Sequence, residues 1–406
     1  MLAPLEISQS TKVTIHSMER DELQVTPLPV DRFDELFDLQ RHLAGVKNPA
    51  YAAFGEDEFI GIDGFRALID SGDTLIAIDG KKDDVINSFA CVAPSVFVKY
   101  YKAAIADLFV GVSSAQAEAG MFRKWIDIAI AHARKLGYVT VLVQTFVTNV
   151  VTFSDLREAG FEYCAQLPSS GRIIGVGLTD SVLWRKTIAD RSTCDFSVRR
   201  VSRDFCWNFG PARPRKDFGS PRRYTLNDGT VIERDRLKAE DIDSFCQLFV
   251  EASKLGQGYT TDISDPAKMR RFVEESSAYV CGTWKTIDTG EMVAAGLIRP
   301  AICCRTTTPV VSSGAVVVRP DFGAKGLGKS MMEVWVELSI SCGYDVVYFE
   351  THTRNTPMLK MAIKGGMQII GCVPATIKLP TSGWEDSLLF YKSFGRYTKA
   401  SKSLSS

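Results

Sequence analysis

Histidine is scarce in this sequence, four in 406 residues, and none stands at the spacing of a metal-binding pair. The ten cysteines run from Cys91 to Cys372 without a C-x-x-C pair. That excludes a zinc cluster or a disulfide framework, so no metal is expected and the thiols read as reduced and buried. The adjacent Cys303 and Cys304 would point to opposite sides of any strand, which suits packing better than ligation. An excess of one charge is also missing, because 48 lysines and arginines balance 48 aspartates and glutamates. No global field therefore draws the chain to nucleic acid or an anionic membrane. No apolar run reaches the length of a membrane span, and Met1–Glu6 leads into polar residues rather than the apolar core of a secretory signal. The expectation is a cytoplasmic protein with no membrane association and a small partner. Its length predicts two or three domains.

What is there is a repeat. Moving residues 120–186 by 206 positions, without a gap, sets Gly120 on Gly326, Gly137-Tyr138 on Gly343-Tyr344 and Asn149 on Asn355. Gly160 then falls on Gly366, Pro168 on Pro374, Asp180-Ser181 on Asp386-Ser387 and Lys186 on Lys392. Glycine, asparagine and proline each answer a particular backbone demand, so their coincidence marks a degenerate duplication. The expected domains are residues 1–190, a connector at 191–224, and residues 225–406.

Each copy reads as an amphipathic helix followed by a strand. Leu327, Met331, Val334, Trp335 and Leu338 share one helical face, and Met121, Trp125, Ile128, Ala129 and His132 take those places in the first copy. His132 thus sits on an apolar face and is given no catalytic role. Gly137 and Gly343 are placed to end these helices, with strands expected at Val139–Val143 and Val346–Thr351. A strand, helix and strand in that order imply a parallel crossover. Asp180-Ser181 and Asp386-Ser387 precede apolar runs in both copies, which points to turn or cap hydrogen bonding. The connector carries Arg199, Arg200, Arg203, Arg213, Arg215, Lys216, Arg222 and Arg223 among Phe205, Trp207, Phe209 and Phe218. Cations interleaved with aromatics can bind single-stranded nucleic acid, but a connector docked on its own domains accounts for them too, and nucleic acid is not an expected partner.

The chemistry concentrates in Val316-Val317-Val318-Arg319-Pro320-Asp321-Phe322-Gly323-Ala324-Lys325-Gly326-Leu327-Gly328-Lys329-Ser330. An apolar strand enters a helix through a glycine-rich loop. The free amides of the first helical turn and the helix dipole favour an anion there, and Lys325 and Lys329 add charge. Residues 323–330 satisfy G-x-x-x-x-G-K-S, the pattern of a nucleotide-binding loop. That loop ordinarily opens a domain of several parallel crossovers, whereas one helix and a few strands remain downstream here.

The same residues resemble the pyrophosphate-binding motif of the GCN5-related N-acetyltransferase superfamily. The resemblance implies two tandem acyl-CoA N-acyltransferase folds, each a mixed twisted sheet flanked by helices, with a degenerate first copy and acetyl-coenzyme A as acyl donor. It further implies that the loop from Gly323 through Lys325, Gly326, Leu327, Gly328 and Lys329 contacts the pyrophosphate. Val316 and Val318 would pair with the pantetheine arm, and Asn355 would contact the cofactor. Where members of the family carry a glutamate base the chain has Ser312, and where they carry a tyrosine acid it has Ala362. Alternation puts Tyr348, Glu350 and His352 on one face of the strand before Asn355, so Glu350 or His352 is the candidate to take a proton from an ammonium. A packing pair accounts for them equally. Leu142, Gln144 and Phe146 occupy that face in the first copy. The expected activity is acetyl transfer to an amine of a small molecule or peptide, with a non-catalytic acyl-CoA sensor as the rival and a nucleotide binder as a third reading. The segments 47–59 and 256–265 are expected near the acceptor and carry no diagnostic constellation.

Overall fold

Short runs rich in valine, isoleucine and aromatics become strands here, and stretches with apolar residues every three or four positions become helices. In a computed structural model the protein is described over residues 25–28, 30–32, 34–36, 38–39, 75–79, 86–95, 105–112, 120–173, 177–190, 220–254, 266–267, 270, 280–300, 311–379 and 383–394. The first half runs β1 (Val25–Pro27), β2 (Leu75–Asp79), β3 (Phe89–Pro94), β4 (Ile105–Gly111), α1 (Met121–Lys135), β5 (Thr140–Phe146), α2 (Val150–Glu158), β6 (Glu162–Ile173) and β7 (Gly177–Thr187). The second runs β8 (Arg222–Thr225), β9 (Val231–Arg236), α3 (Ile242–Lys254), β10 (Val280–Thr286), β11 (Met292–Pro300) and β12 (Val311–Val318). It continues with α4 (Leu327–Ser341), β13 (Val346–His352), α5 (Thr356–Lys364), β14 (Gln368–Leu379) and β15 (Gly383–Ser393). From β4 to β7, every element moved by 206 residues falls on its counterpart between β12 and β15 to within one residue.

The described strands form one mixed sheet in the order β1-β2-β3-β4-β5-β7-β6-β14-β15-β13-β12-β11-β10-β9-β8. All neighbours are antiparallel except β4 with β5 and β12 with β13, the crossovers expected around α1 and α4. The fold is therefore a mixed α/β architecture, as expected. The helical faces read from the sequence are the core faces: Trp125, Ile128 and Ala129 in one half, and Leu327, Met331, Val334, Trp335 and Leu338 in the other, are buried. His132 is half-buried on that face, and burial lowers its pKa, which favours the neutral ring.

The coincidences in the repeat have structural causes. Gly137 and Gly343 take φ of 80° and 82° just past α1 and α4, where an L side chain is strained, and the next tyrosine amide reaches back to the Ala133 or Ser339 carbonyl. Lys392 Nζ donates to the Gly365 carbonyl at 2.6 Å, closing the end of α5, and Lys186 does the same to Ala159 at the end of α2. A charged donor on otherwise orphaned helical carbonyls is worth about 1.5–3 kcal/mol. Lys392→Met is accordingly expected to lower stability by about 1–2 kcal/mol in urea denaturation. Asp180 and Asp386 lie inside β7 and β15 rather than ahead of them. Asp180 accepts from the Ser169 amide at 2.9 Å and from Gln166 at 2.8 Å, bracing the irregular stretch of β6.

The halves meet where β6 pairs with β14, at Ala165 opposite Gly371. These two residues are equivalent under the 206-residue shift, so the seam has local two-fold character, each half offering the same patch. Ile105, Leu142, Cys164, Ala165, Leu167 and Leu183 share one cluster there with Val346, Tyr348, Val373 and Leu389. Cys164 sits in it with its thiol pushed up to about 12 by burial, which keeps it protonated and a poor nucleophile.

Strand β8 begins at Arg222, inside the segment expected to be a connector, and residues 191–219 of that segment lie outside the described residues. Arg222 pairs with Glu337 and Arg223 with Glu233, each at 3.1 Å. Segments 47–59 and 256–265 and the Cys303-Cys304 pair also lie outside the described residues. Among the described residues no helix is long and apolar enough to cross a membrane, and no cluster of three or more potential ligands is placed to hold a metal.

Candidate functional site

A fork opens in the second half of the sheet. β12 and β13 run parallel but pair only at Val311 with Val346 and Ser312 with Val347. Beyond that rung β12 stays with β11 as far as Val318, and β13 stays with β15 as far as His352. Between Ser313–Val318 and Tyr348–His352 the two strands no longer share a ladder. In the first half the corresponding strands hold together for two more pairs, to Leu108 with Val143. The side chains at the fork differ accordingly. Ser312 Oγ lies 2.9 Å from Ser339 Oγ and 3.1 Å from the Val346 carbonyl, tying the last rung of the ladder to α4. Their first-half counterparts are Ala106 and Ala133, which have no hydroxyl to offer. Ser312, where a glutamate base would stand by resemblance, is thus a structural pin.

The chain leaves β12 through a 3-10 turn at Pro320–Lys325 and enters α4 at Leu327. Phe322 is buried beneath two cations, with Arg319 Cζ 4.7 Å and Lys325 Nζ 4.2 Å from its ring centroid. Gly326 stands at φ 90°, a left-handed conformation, and α4 has no side-chain cap. Its first amides are therefore left to another acceptor. Leu327 is fully buried, Val316 and Val318 are half-buried against the same core, and Gly323 and Gly326 are exposed. The loop residues named from the sequence thus converge beside the fork. Leu327 is there as an anchor, and Lys329 lies in the first turn of α4. At the same place in the first half Phe122 replaces Gly328 and is buried, and Arg123 is bound to Asp127 at 3.1 Å.

The far side of the fork carries the polar residues of β13. Glu350 is half-buried opposite Leu389, and His352 is buried opposite Ser387, on the side of the strand that Tyr348 presents to the seam. Gln144, the counterpart of Glu350, donates instead to Ser181 at 2.6 Å. Asn355 caps α5, its Oδ1 accepting from the Met358 amide at 3.3 Å and its Nδ2 donating to Thr351 at 3.0 Å. Its contribution to the site is thus the position of the α5 N-terminus. Ala362 is fully buried, leaving no hydroxyl there for acid catalysis.

Two features escaped the sequence. Glu385, almost fully buried, pairs with Arg354 at 2.8 Å beyond the end of β13. Their counterparts are Thr179 and Thr148, so a comparison of the copies for charge rather than for glycine would have flagged the pair. The turn between β8 and β9 also docks on the glycine loop: the Asn227 amide donates to the Lys325 carbonyl at 3.0 Å, and Lys325 Nζ lies 2.8 Å from Asp228 Oδ2. Asn-Asp-Gly signals a turn in the sequence but says nothing of what the turn touches.

No family model matches the sequence, and no curated protein does. Among solved structures the chain is similar to a GCN5-related N-acetyltransferase from Kribbella flavida, at 17% identity and a TM-score of 0.35, over 40% of this chain and 98% of the other. It is also similar to a putative acetyltransferase from Salmonella typhimurium with its cofactor acetyl-CoA, at 14% identity and a TM-score of 0.34, over 41% and 95%. A third is a phosphinothricin acetyltransferase from Sinorhizobium meliloti in complex with acetyl-CoA, at 14% and 0.35, over 42% and 89%.

Proposed function

We propose that this chain transfers an acetyl group from acetyl-coenzyme A to an amine of a small molecule or peptide, with the second half binding the donor. The fork between β12 and β13, ending at the uncapped start of α4, is the observation that carries the reading. An extended arm with amides fits alongside Val316 and Val318, which pair with β11 and share no ladder with β13. A diphosphate fits the amides of Gly326, Leu327 and Gly328, with Lys325 just before them in the loop. The first half, with a longer ladder and Phe122 at its helix start, reads as a duplicate kept for shape or acceptor recognition.

The reaction needs little beyond placement. The amine nitrogen attacks the thioester carbonyl carbon, the oxyanion is held by amides, and the carbon–sulfur bond breaks to give the amide and coenzyme A. A thioester is already activated, so orientation and oxyanion stabilisation supply most of the rate. The ammonium first loses one proton to Glu350 or His352, directly or through water, and the second, released from nitrogen as the tetrahedral intermediate collapses, reaches the departing thiolate through solvent. Ala362 is tolerated because a thiolate leaves without a dedicated acid.

A nucleotide-binding loop finds less support, since β12 has an antiparallel neighbour on one side and two parallel pairs on the other. Calorimetric titration with acetyl-CoA, beside ATP with magnesium, tests the donor assignment: binding of the first alone is expected, and binding of ATP alone sinks it. Glu350→Gln is expected to lower kcat by about 10²-fold or more, with the loss falling as pH rises and the amine deprotonates by itself. Unchanged turnover in that variant would make Glu350 a packing residue. Donor binding without turnover on any amine would favour the sensor.

A further inference from the structure

The turn between β8 and β9 is built to sit still. Leu226 is buried in the core of the second half, its amide donates to the Thr230 carbonyl at 2.9 Å, and the Gly229 amide returns to the Leu226 carbonyl at 3.0 Å. Asp228 Oδ1 accepts from the Thr230 amide at 3.0 Å, which orients the carboxylate. The turn is then tied to the glycine loop by the bond from the Asn227 amide to the Lys325 carbonyl. A Cβ on Gly326 would lie 3.1–3.3 Å from the Asn227 side-chain amide, so the turn lies directly against the start of α4.

Within this frame Lys325 is held from two sides. Its ammonium is 2.8 Å from Asp228 Oδ2 and 4.2 Å from the Phe322 ring centroid. A carboxylate beside a diphosphate site works against the ligand, both by repelling it and by occupying the cation that would meet it. We propose that Asp228 is a positioning residue that sets donor affinity by holding Lys325 off the phosphates, so that acyl-CoA enters by exchanging one carboxylate for its own oxygens on Lys325. This rests on the donor-site reading above. Asp228 is fully ionised near neutrality, its pKa lowered to about 2 chiefly by the bond to Lys325 and then by Thr230. The exchange is therefore available at any working pH. It lowers affinity for the donor and for product coenzyme A alike, favouring release after transfer.

The test is a double-mutant cycle on coenzyme A binding by calorimetry at two salt concentrations, with Asp228→Asn, Lys325→Ala and the pair. Asp228→Asn is expected to tighten coenzyme A about fivefold at low salt and to steepen the loss of affinity with salt, because a freed cation now meets the phosphates. In the Lys325→Ala background the same change is expected to gain less than about twofold, since the effect runs through Lys325. A full gain in that background would mean simple repulsion and overturn the proposal, as would no gain in the single variant. Wild-type protein that binds no coenzyme A would overturn the donor-site reading itself. Dephospho-coenzyme A, which keeps the diphosphate and lacks the 3′-phosphate, should show the same ratios, and loss of the effect with it would place Lys325 on the wrong phosphate and overturn the assignment.

Discussion

Gly328→Glu is expected to abolish measurable binding of acetyl-coenzyme A, a loss of at least about 10²-fold, while the protein stays folded. Gly328 lies in the first turn of α4, and a Cβ there would meet the Met361 side chain, Sδ at 3.2 Å and Cγ at 4.0 Å, whose flexible end can give way. The fold therefore accommodates a side chain at this position. A glutamate there brings an anion to the amides that are proposed to hold a diphosphate, so it competes for them and repels the ligand. Gly328→Ala separates the two effects, since it adds the Cβ without the charge and is expected to cost only a few-fold in affinity. Calorimetry on both, with circular dichroism to confirm the fold, decides the matter: equal binding by the glutamate variant and the wild type would remove α4 from the donor site.

The second large effect is at the seam. Gly371→Val is expected to destabilise the protein by more than about 3 kcal/mol and to split its unfolding into two transitions. A Cβ at position 371 would lie 2.3 Å from Ala165 Cβ, 2.5 Å from the Cys164 carbonyl oxygen and 2.7 Å from Ala165 Cα. These are mostly backbone atoms of a paired strand, with no rotamer to relieve the clash, so the contact between β6 and β14 must open. The apolar cluster that joins Cys164, Leu167 and Leu183 to Tyr348, Val373 and Leu389 would open with it. The two-fold character of the seam supplies a control, because Ala165→Gly with Gly371→Ala exchanges the two residues across the axis and should restore a single transition. Scanning calorimetry reads both, and a single unshifted transition for Gly371→Val would show that the halves are not coupled through this strand pair.

Much of the architecture was legible from local pattern. The helical faces around Trp125 and Trp335, the glycines after α1 and α4, and the positions of β5 and β13, expected at Val139–Val143 and Val346–Thr351, followed from apolar period and turn chemistry, which act over a few residues. The glycine loop entering α4 was legible for the same reason, since a strand, a left-handed glycine and an uncapped helix start are neighbours in the chain. Asp180 and Asp386 lie within strands rather than ahead of them because Ser181 and Ser387, each within hydrogen-bond reach of a residue eleven positions earlier, join them in long strands whose irregular register no simple alternation shows.

The amino-acid sequence by itself carries the 206-residue correspondence, the apolar helical faces around Trp125 and Trp335, and the glycine-rich entry into α4. Only the tertiary structure decided which strands part company. At the last shared rung Ser312 Oγ meets the Val346 carbonyl and the Ser339 hydroxyl, whereas alanines stand at those places in the first half, whose ladder runs two pairs longer. Likewise, the docking of Asp228 on Lys325 and of Gly371 on Ala165 joins residues about a hundred or more positions apart. Local period sets what each segment becomes, but register between distant segments is settled by how their side chains pack and pair, and no repeat in the chain encodes it.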